Sequence, residues 1–285
     1  MKKGIFQLAV IALIGLGACT EDGEDLSFVD ATLDVTNTEG TFDLSTNEFE
    51  EVELEADEFI FDGANTGGRL ENDGIISCAT RTLDTLENGA RRLTLDFGDG
   101  CEGPNGRLRT GQVVITATGR RFVPGSVITT QLINYTVNGI GIEGTRTLTN
   151  TTSDVRDTVT FNVQLEGGRI TWEDGTTATR EVNRTRRWVR NLNPLTDQLW
   201  VDGTASGTNR SGVSYEMEIT STLKFRRACT IQRIFIPVEG VKMITTDNRT
   251  FELDYGDGSC DNDVTVRSNG NEETITVDFR RRRRG

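Results

Sequence analysis

Beyond Gly63 the chain alternates apolar and polar residues. Runs such as "RRLTLDF", "QVVITATG", "VITTQLINYTV", "DTVTFNVQL", "GRITWEDG", "SYEMEITSTL" and "ETITVDF" carry an apolar residue at every second position. That is the period of a strand with one buried face. Asn138-Gly139, Glu166-Gly167-Gly168, Asp174-Gly175, Asp202-Gly203 and Asn269-Gly270 read as turns between them. Short connections make neighbours antiparallel, so the pattern predicts an all-β domain over residues 63–285, a large antiparallel meander of about a dozen strands. A sheet that long must curl, close or fold over, as a curved sheet, an open barrel or a two-layer sandwich. Outward positions rich in Thr and Arg suit a sheet face left in water.

The segment before Gly63 reads differently. Phe49, Val52, Ala56, Phe59 and Ile60 recur at helical spacing, Ser45 and Glu48 stand at capping-box distance, and Gly63 can end a helix. A short helix over 46–60 is expected, although Val52, Leu54 and Ala56 also alternate.

One phrase is written twice. "LDFGDGC" spans Leu95–Cys101 and "LDYGDGSC" spans Leu253–Cys260, each preceded by a cysteine at 78 or 229. Four cysteines allow three pairings. Each copy carries its own opening and closing cysteine, which favours Cys78–Cys101 and Cys229–Cys260 as clips on two equivalent β units. A four-thiolate zinc site would want C-x-x-C pairs, which are missing.

Charge and the N-terminus change the picture. "MKKGIFQLAVIALIGLGAC" has a basic start, a short apolar core and Leu16-Gly17-Ala18-Cys19. This predicts a signal peptide over 1–18 and an acyl chain on Cys19, hence an outer-membrane lipoprotein facing the periplasm or the cell surface. Export also suits disulfides. The formal net charge is −13, yet no Lys or Arg occurs from Thr20 to Asp62. An acidic block next to an anchor repels itself and extends, so residues 19–62 are expected to be a solvated tether, with 20–44 as linker. "CTEDGED" also looks like a signal for surface export.

The lipobox, the two cysteine-closed "LD(F/Y)GDG" units, "YTVNGIGIEGTRTLTN", "TATREVNRTRRWV" and the final "ETITVDF" together resemble a family of secreted lipoproteins of the Bacteroidetes type. The resemblance implies export, outer-membrane residence and a β-rich body. It implies no catalytic residue. The run Arg280–Arg284 departs from the family pattern.

Candidate chemistry is sparse. Histidine is absent, which removes His-based triads and His-ligated metals. Catalysis would have to rest on carboxylates, Lys, Tyr or metal bound through oxygen; carboxylate-pair hydrolysis of glycosides stays open, and no pair is singled out. A non-catalytic binding or structural role is therefore expected, with a carrier of an apolar ligand as the second reading and a glycan-active enzyme as the third. Asp254, Asp257, Asp261 and Asp263 are a candidate Ca²⁺ loop, set against Asp side chains capping their own turns. Trp172, Trp188 and Trp200 are candidates for stacking on sugar rings, set against core packing. Alternation puts Arg180, Arg184, Arg186, Trp188 and Arg190 on one face and Arg187 on the other, to pair with acids of adjacent strands or to meet acidic glycans or lipid headgroups. Expected partners are the membrane and envelope glycans or proteins; so acidic an exported chain does not suit nucleic acid.

Overall fold

The computed structural model describes residues 28–62, 74–103, 106–153, 158–232 and 234–277. The expected signal peptide over 1–18, Cys19 and Arg280–Arg284 lie outside them. The chain builds one 14-stranded antiparallel sheet. Its strands are β1 (Thr80–Thr85), β2 (Arg91–Asp96), β3 (Cys101–Glu102), β4 (Leu108–Ala117), β5 (Val127–Val137), β6 (Ile140–Asn150) and β7 (Thr158–Thr171). There follow β8 (Thr177–Val189), β9 (Gln198–Thr208), β10 (Ser214–Arg226), β11 (Glu239–Thr246), β12 (Thr250–Asp257), β13 (Asp263–Ser268) and β14 (Asn271–Thr276). Every strand from β4 onward pairs with its predecessor; β3 is a short addition beside β4, and β2 reaches β4 directly. Of the three expected forms, the meander takes that of a single open curved sheet, with β1 and β14 at its edges.

Two expected turns prove to be irregularities within strands. Gly167-Gly168 lies inside β7 and Asp202-Gly203 inside β9. Register shifts recur at Gly111 on β4, at Asn134 on β5, at Gly144 on β6 and at Gly167-Gly168 on β7, each opposite the next. Such bulges bend a sheet and increase its twist. At Gly111 the requirement for glycine is steric. Its φ is 77°, and a Cβ there would sit 2.2 Å from the Asn134 carbonyl oxygen.

The principal correction concerns the acidic segment. Its described part is no tether. Residues Phe28–Asp62 form one helix, α1, of 35 residues, about 52 Å long at 1.5 Å per residue. The capping-box reading also fails. Ser45 lies within the helix and donates to the Phe42 carbonyl (2.8 Å), while Glu48 reaches the sheet. The helix covers the inner face of the sheet and crosses its strands. Val35 packs with residues of β9–β13, Phe42 with Ile140, Ile170 and Trp172, and Phe49, Val52, Ala56 and Ile60 with β2–β7. A 3.6-residue repeat sets those apolar residues along one stripe, with Glu39, Asp43, Glu50 and Glu53 on its flank.

The two disulfides are Cys78–Cys101 and Cys229–Cys260, with Cα separations of 5.8 and 5.2 Å. Cys78 precedes β1 and Cys101 opens β3. Cys229 lies on a short helix, α2 (Arg227–Ile231), and Cys260 follows β12. The repeated phrase thus marks two clips toward opposite ends of the sheet.

Candidate functional site

The inner face of the sheet is basic where the helix is acidic. Arg109 (β4), Arg146 (β6), Arg180, Arg184 and Arg186 (β8) and Lys242 (β11) all point inward, as does Arg121 just after β4. Arg109 and Lys242 are wholly buried. The outward-arginine expectation therefore fails for these residues, while threonines do pair on the outside, as in Thr110–Thr136 and Thr179–Thr208.

Several helix carboxylates gather cations from the sheet. Glu48 accepts from Arg109 Nη2 (2.9 Å), from Arg107 and from the Tyr135 hydroxyl (3.4 Å). Glu53 accepts from Thr130 (2.9 Å), from Arg121 (3.0 Å) and from Arg146. Glu50 meets Arg121 (2.5 Å), Arg146 and Arg186. β6 and β8 lie about 10 Å apart in a flat sheet, so their sharing one carboxylate reflects the curvature. Glu39 joins Arg180 and Lys242 (3.1 Å), and Asp43 accepts from Lys242 (3.4 Å). Glu55 caps the backbone of Ile75 and Ile76, at 2.8 and 3.1 Å. Burial alone would raise the Glu50 carboxyl, but Arg121, Arg146 and Arg186 together hold it well below the usual range. The reciprocal strain falls on Arg186, which burial and the neighbouring arginines lower to about 10 despite Glu50.

The alternation expected along β8 holds. Arg180, Arg184, Arg186 and Trp188 take the inner face, and Arg187 on the outer face pairs with Asp202 of β9 at 2.5 Å. The expected partners were acids of adjacent strands. Only Arg187 has one; Arg180 and Arg186 use α1. Arg190 falls beyond the end of β8 and is exposed.

Helix and sheet do not meet everywhere. Between α1 and β6–β10 remains a cavity of about 540 Å³, within the ~300–1,000 Å³ usual for small-molecule sites. Its apolar wall includes Phe49, Leu148, Phe161, Val163, Val182 and Trp188, and Arg184 and Arg186 stand among them. Leu54 on α1 and Ile231 on α2, both exposed, border it. Sequence reasoning missed this site because its roof belongs to the segment expected to be a solvated tether. A second recess of about 490 Å³ among β7–β11 carries Glu166, Glu181, Glu216 and Glu218.

The three tryptophans do not form a platform. Trp172 is buried against Phe42 and Ile170, with Arg210 over its ring at 4.5 Å. Trp188 lines the cavity and meets Phe122 edge-on at 5.3 Å between centroids. Trp200 lies on the outer face between Arg187 and Lys224. The aspartates of the second repeat do not converge either. Asp254, Asp257 and Asp261 accept from the backbone of Gly256, Ser259 and Asp263, and Asp263 accepts from Thr276. Their turns account for them, and no cluster of three metal-ligating residues occurs among the described residues.

Compared with known proteins, the chain matches no family model, no curated protein and no solved structure.

Proposed function

We propose that this is a non-catalytic binding protein of the bacterial cell envelope, anchored at the outer membrane through a lipid on Cys19, and that it carries an apolar ligand in the cavity beneath α1. The observation that carries the reading is the cavity itself. Helix and sheet are otherwise joined by buried pairs and packed side chains, yet a mainly apolar space of about 540 Å³ is left between them. A space of that kind too small for water simply forfeits contacts, whereas one of this size suits a ligand. The anchor reading rests on Leu16-Gly17-Ala18-Cys19 behind a short apolar run.

Two experiments test the proposal. Protein purified from membranes is extracted with organic solvent, and the extract is analysed by mass spectrometry; a polarity-sensitive apolar dye is titrated in parallel. A Val163→Phe variant, which narrows the cavity from β7, should weaken dye uptake and reduce the co-purifying ligand without lowering yield. Dye uptake equal in the variant and the parent would overturn the carrier reading. Replacing Cys19 with Ser should leave the chain unacylated and released from membranes, and unchanged partitioning would overturn the anchor.

A further inference from the structure

Among the described residues the cavity wall contains one buried cation that the fold leaves without an acid. β8 sends three arginines inward at alternate positions of its pleat. Arg180 is fully engaged: it pairs with Glu39, donates to the Tyr215 hydroxyl (2.8 Å) and covers the Phe42 ring at 4.2 Å. Arg186 pairs with Glu50. Arg184 lies between them with 9% of its surface exposed, and neither its Nε nor its Nη2 has a hydrogen-bond partner among the described residues. Asp43 is the carboxylate whose field it feels, but that group accepts from Lys242 at 3.4 Å. Burial accordingly lowers the Arg184 pKa, with Asp43 opposing. Arg109, Arg121, Arg146, Arg180, Arg186 and Lys242 each have an acid on α1, and Arg91 donates to the Ile60 carbonyl. A buried guanidinium without one is costly, so buried charges are normally paired.

The free atoms also have a shape. Nε and Nη2 form the side-on fork of the guanidinium, which matches the two oxygens of a carboxylate. We infer that the cavity takes a single-chain amphiphile ending in a carboxylate, of the long-chain fatty-acid class, with the Arg184 side chain turning to present Nε and Nη2, which have no accessible surface in this structure, to that carboxylate, and with the chain along Leu148, Phe161, Val163 and Val182. The inference rests on reading the cavity as an apolar-ligand site and adds the ligand's charge and orientation. A monoanion fits better than a phosphate. One buried fork is offered, and Asp43 and Glu50 also border the cavity, so a dianion at Arg184 would meet too few donors and two like charges; Arg226 and Arg227 line the cavity at the end of β10 and on α2.

The test uses the full chain carrying Cys19→Ser, stripped of lipid, with palmitate, hexadecanol and hexadecyl phosphate as competitors against a bound dye. Palmitate should displace the dye about 10–100-fold better than hexadecanol, as a charge-assisted pair formed out of water would give. Arg184→Met should erase that preference while leaving hexadecanol binding intact, which also shows that the variant is folded. Should Arg184→Met fail to fold, Arg184→Lys keeps the charge without the fork and should lose most of the preference. Equal binding of palmitate and hexadecanol by the parent, or a preference that survives both substitutions, would overturn the carboxylate assignment and leave the apolar cavity standing. Hexadecyl phosphate binding more tightly than palmitate would overturn the choice of carboxylate. Failure of all three to displace the dye would overturn the cavity reading and this inference with it.

Discussion

Replacing Glu53 with Met tests the claim that buried charge pairs dock α1 on the sheet. Glu53 has no exposed side-chain surface, and its two oxygens meet Thr130, Arg121 and Arg146. With Glu50 and Arg186 these residues form a cluster holding one more cation than anions. Glu53→Met leaves Glu50 alone facing Arg121, Arg146 and Arg186, and leaves the Thr130 hydroxyl without its acceptor. Breaking a buried pair by removing one partner costs about 3–5 kcal/mol, because the remaining charge stays desolvated. A urea m-value of about 3 kcal/mol/M would turn that into a midpoint shift of roughly 1–1.7 M. The double variant Glu53→Met/Arg146→Met restores the original surplus of one cation and should recover most of the loss, since apolar replacement of a whole pair is often neutral. Urea titrations followed by circular dichroism, read as a double-mutant cycle, give the coupling directly. A single-variant loss below about 1 kcal/mol, or a double variant that costs the sum of the singles, would show that the pair is solvated and that docking rests on apolar contact alone.

Three further outcomes are expected. Glu50 has a folded pKa depressed from 4.5, so its contribution is complete above about pH 4.5 and drains as the pH falls below it; Glu51 and Asp57, raised by burial, act with the opposite sign, contributing most at low pH and losing their effect as the pH rises. Melting temperatures should therefore fall below about pH 4 in the parent and less steeply in Glu50→Gln, and a parallel acid limb in both would refute the assignment. Reducing either disulfide should cost about 3–4 kcal/mol in the chain-entropy account for separations of 23 and 31 residues; non-reducing peptide maps should link Cys78 only to Cys101 and Cys229 only to Cys260. Gly111→Ala should destabilise by at least about 1–3 kcal/mol through a strained backbone and a collision with the Asn134 carbonyl, and a melt unchanged from the parent would mean that the bulge is not fixed there.

The strands, their antiparallel order and the two clips were legible because each rests on local pattern: alternation, Asn-Gly turns, and a phrase repeated with its cysteine. Even the split of Arg186 from Arg187 followed from a period of two. The part of α1 over 46–60 was legible from its spacing, and the part before it was hidden for a physical reason. "FVDATLDVTNTEGTFDL" is rich in β-branched residues and Asp and contains Gly40, all poor helix formers. Its acids have no base nearby in sequence, so locally they repel. Their partners stand far along the chain, as in Glu39 with Lys242, 203 residues away.

A signal for this docking was nonetheless present in the strands. Arg146 shares the buried parity of Ile142 and Leu148 on β6, Arg180 that of Ala178 on β8, and Lys242 that of Ile244 on β11. A base at a core parity demands a buried acid, and the segment free of bases is the richest source of one. The bases and the acidic segment are two halves of one interface, which neither half discloses alone. The same rule gives Arg184 its weight. It stands at the same parity and is as deeply desolvated, but the acid that its neighbours draw from α1 does not reach it. Where six inward bases are answered by the helix, the unanswered one lies on the wall of the cavity that the helix leaves open. A ligand that brings its own carboxylate would complete both the charge pairing and the packing of the same interface.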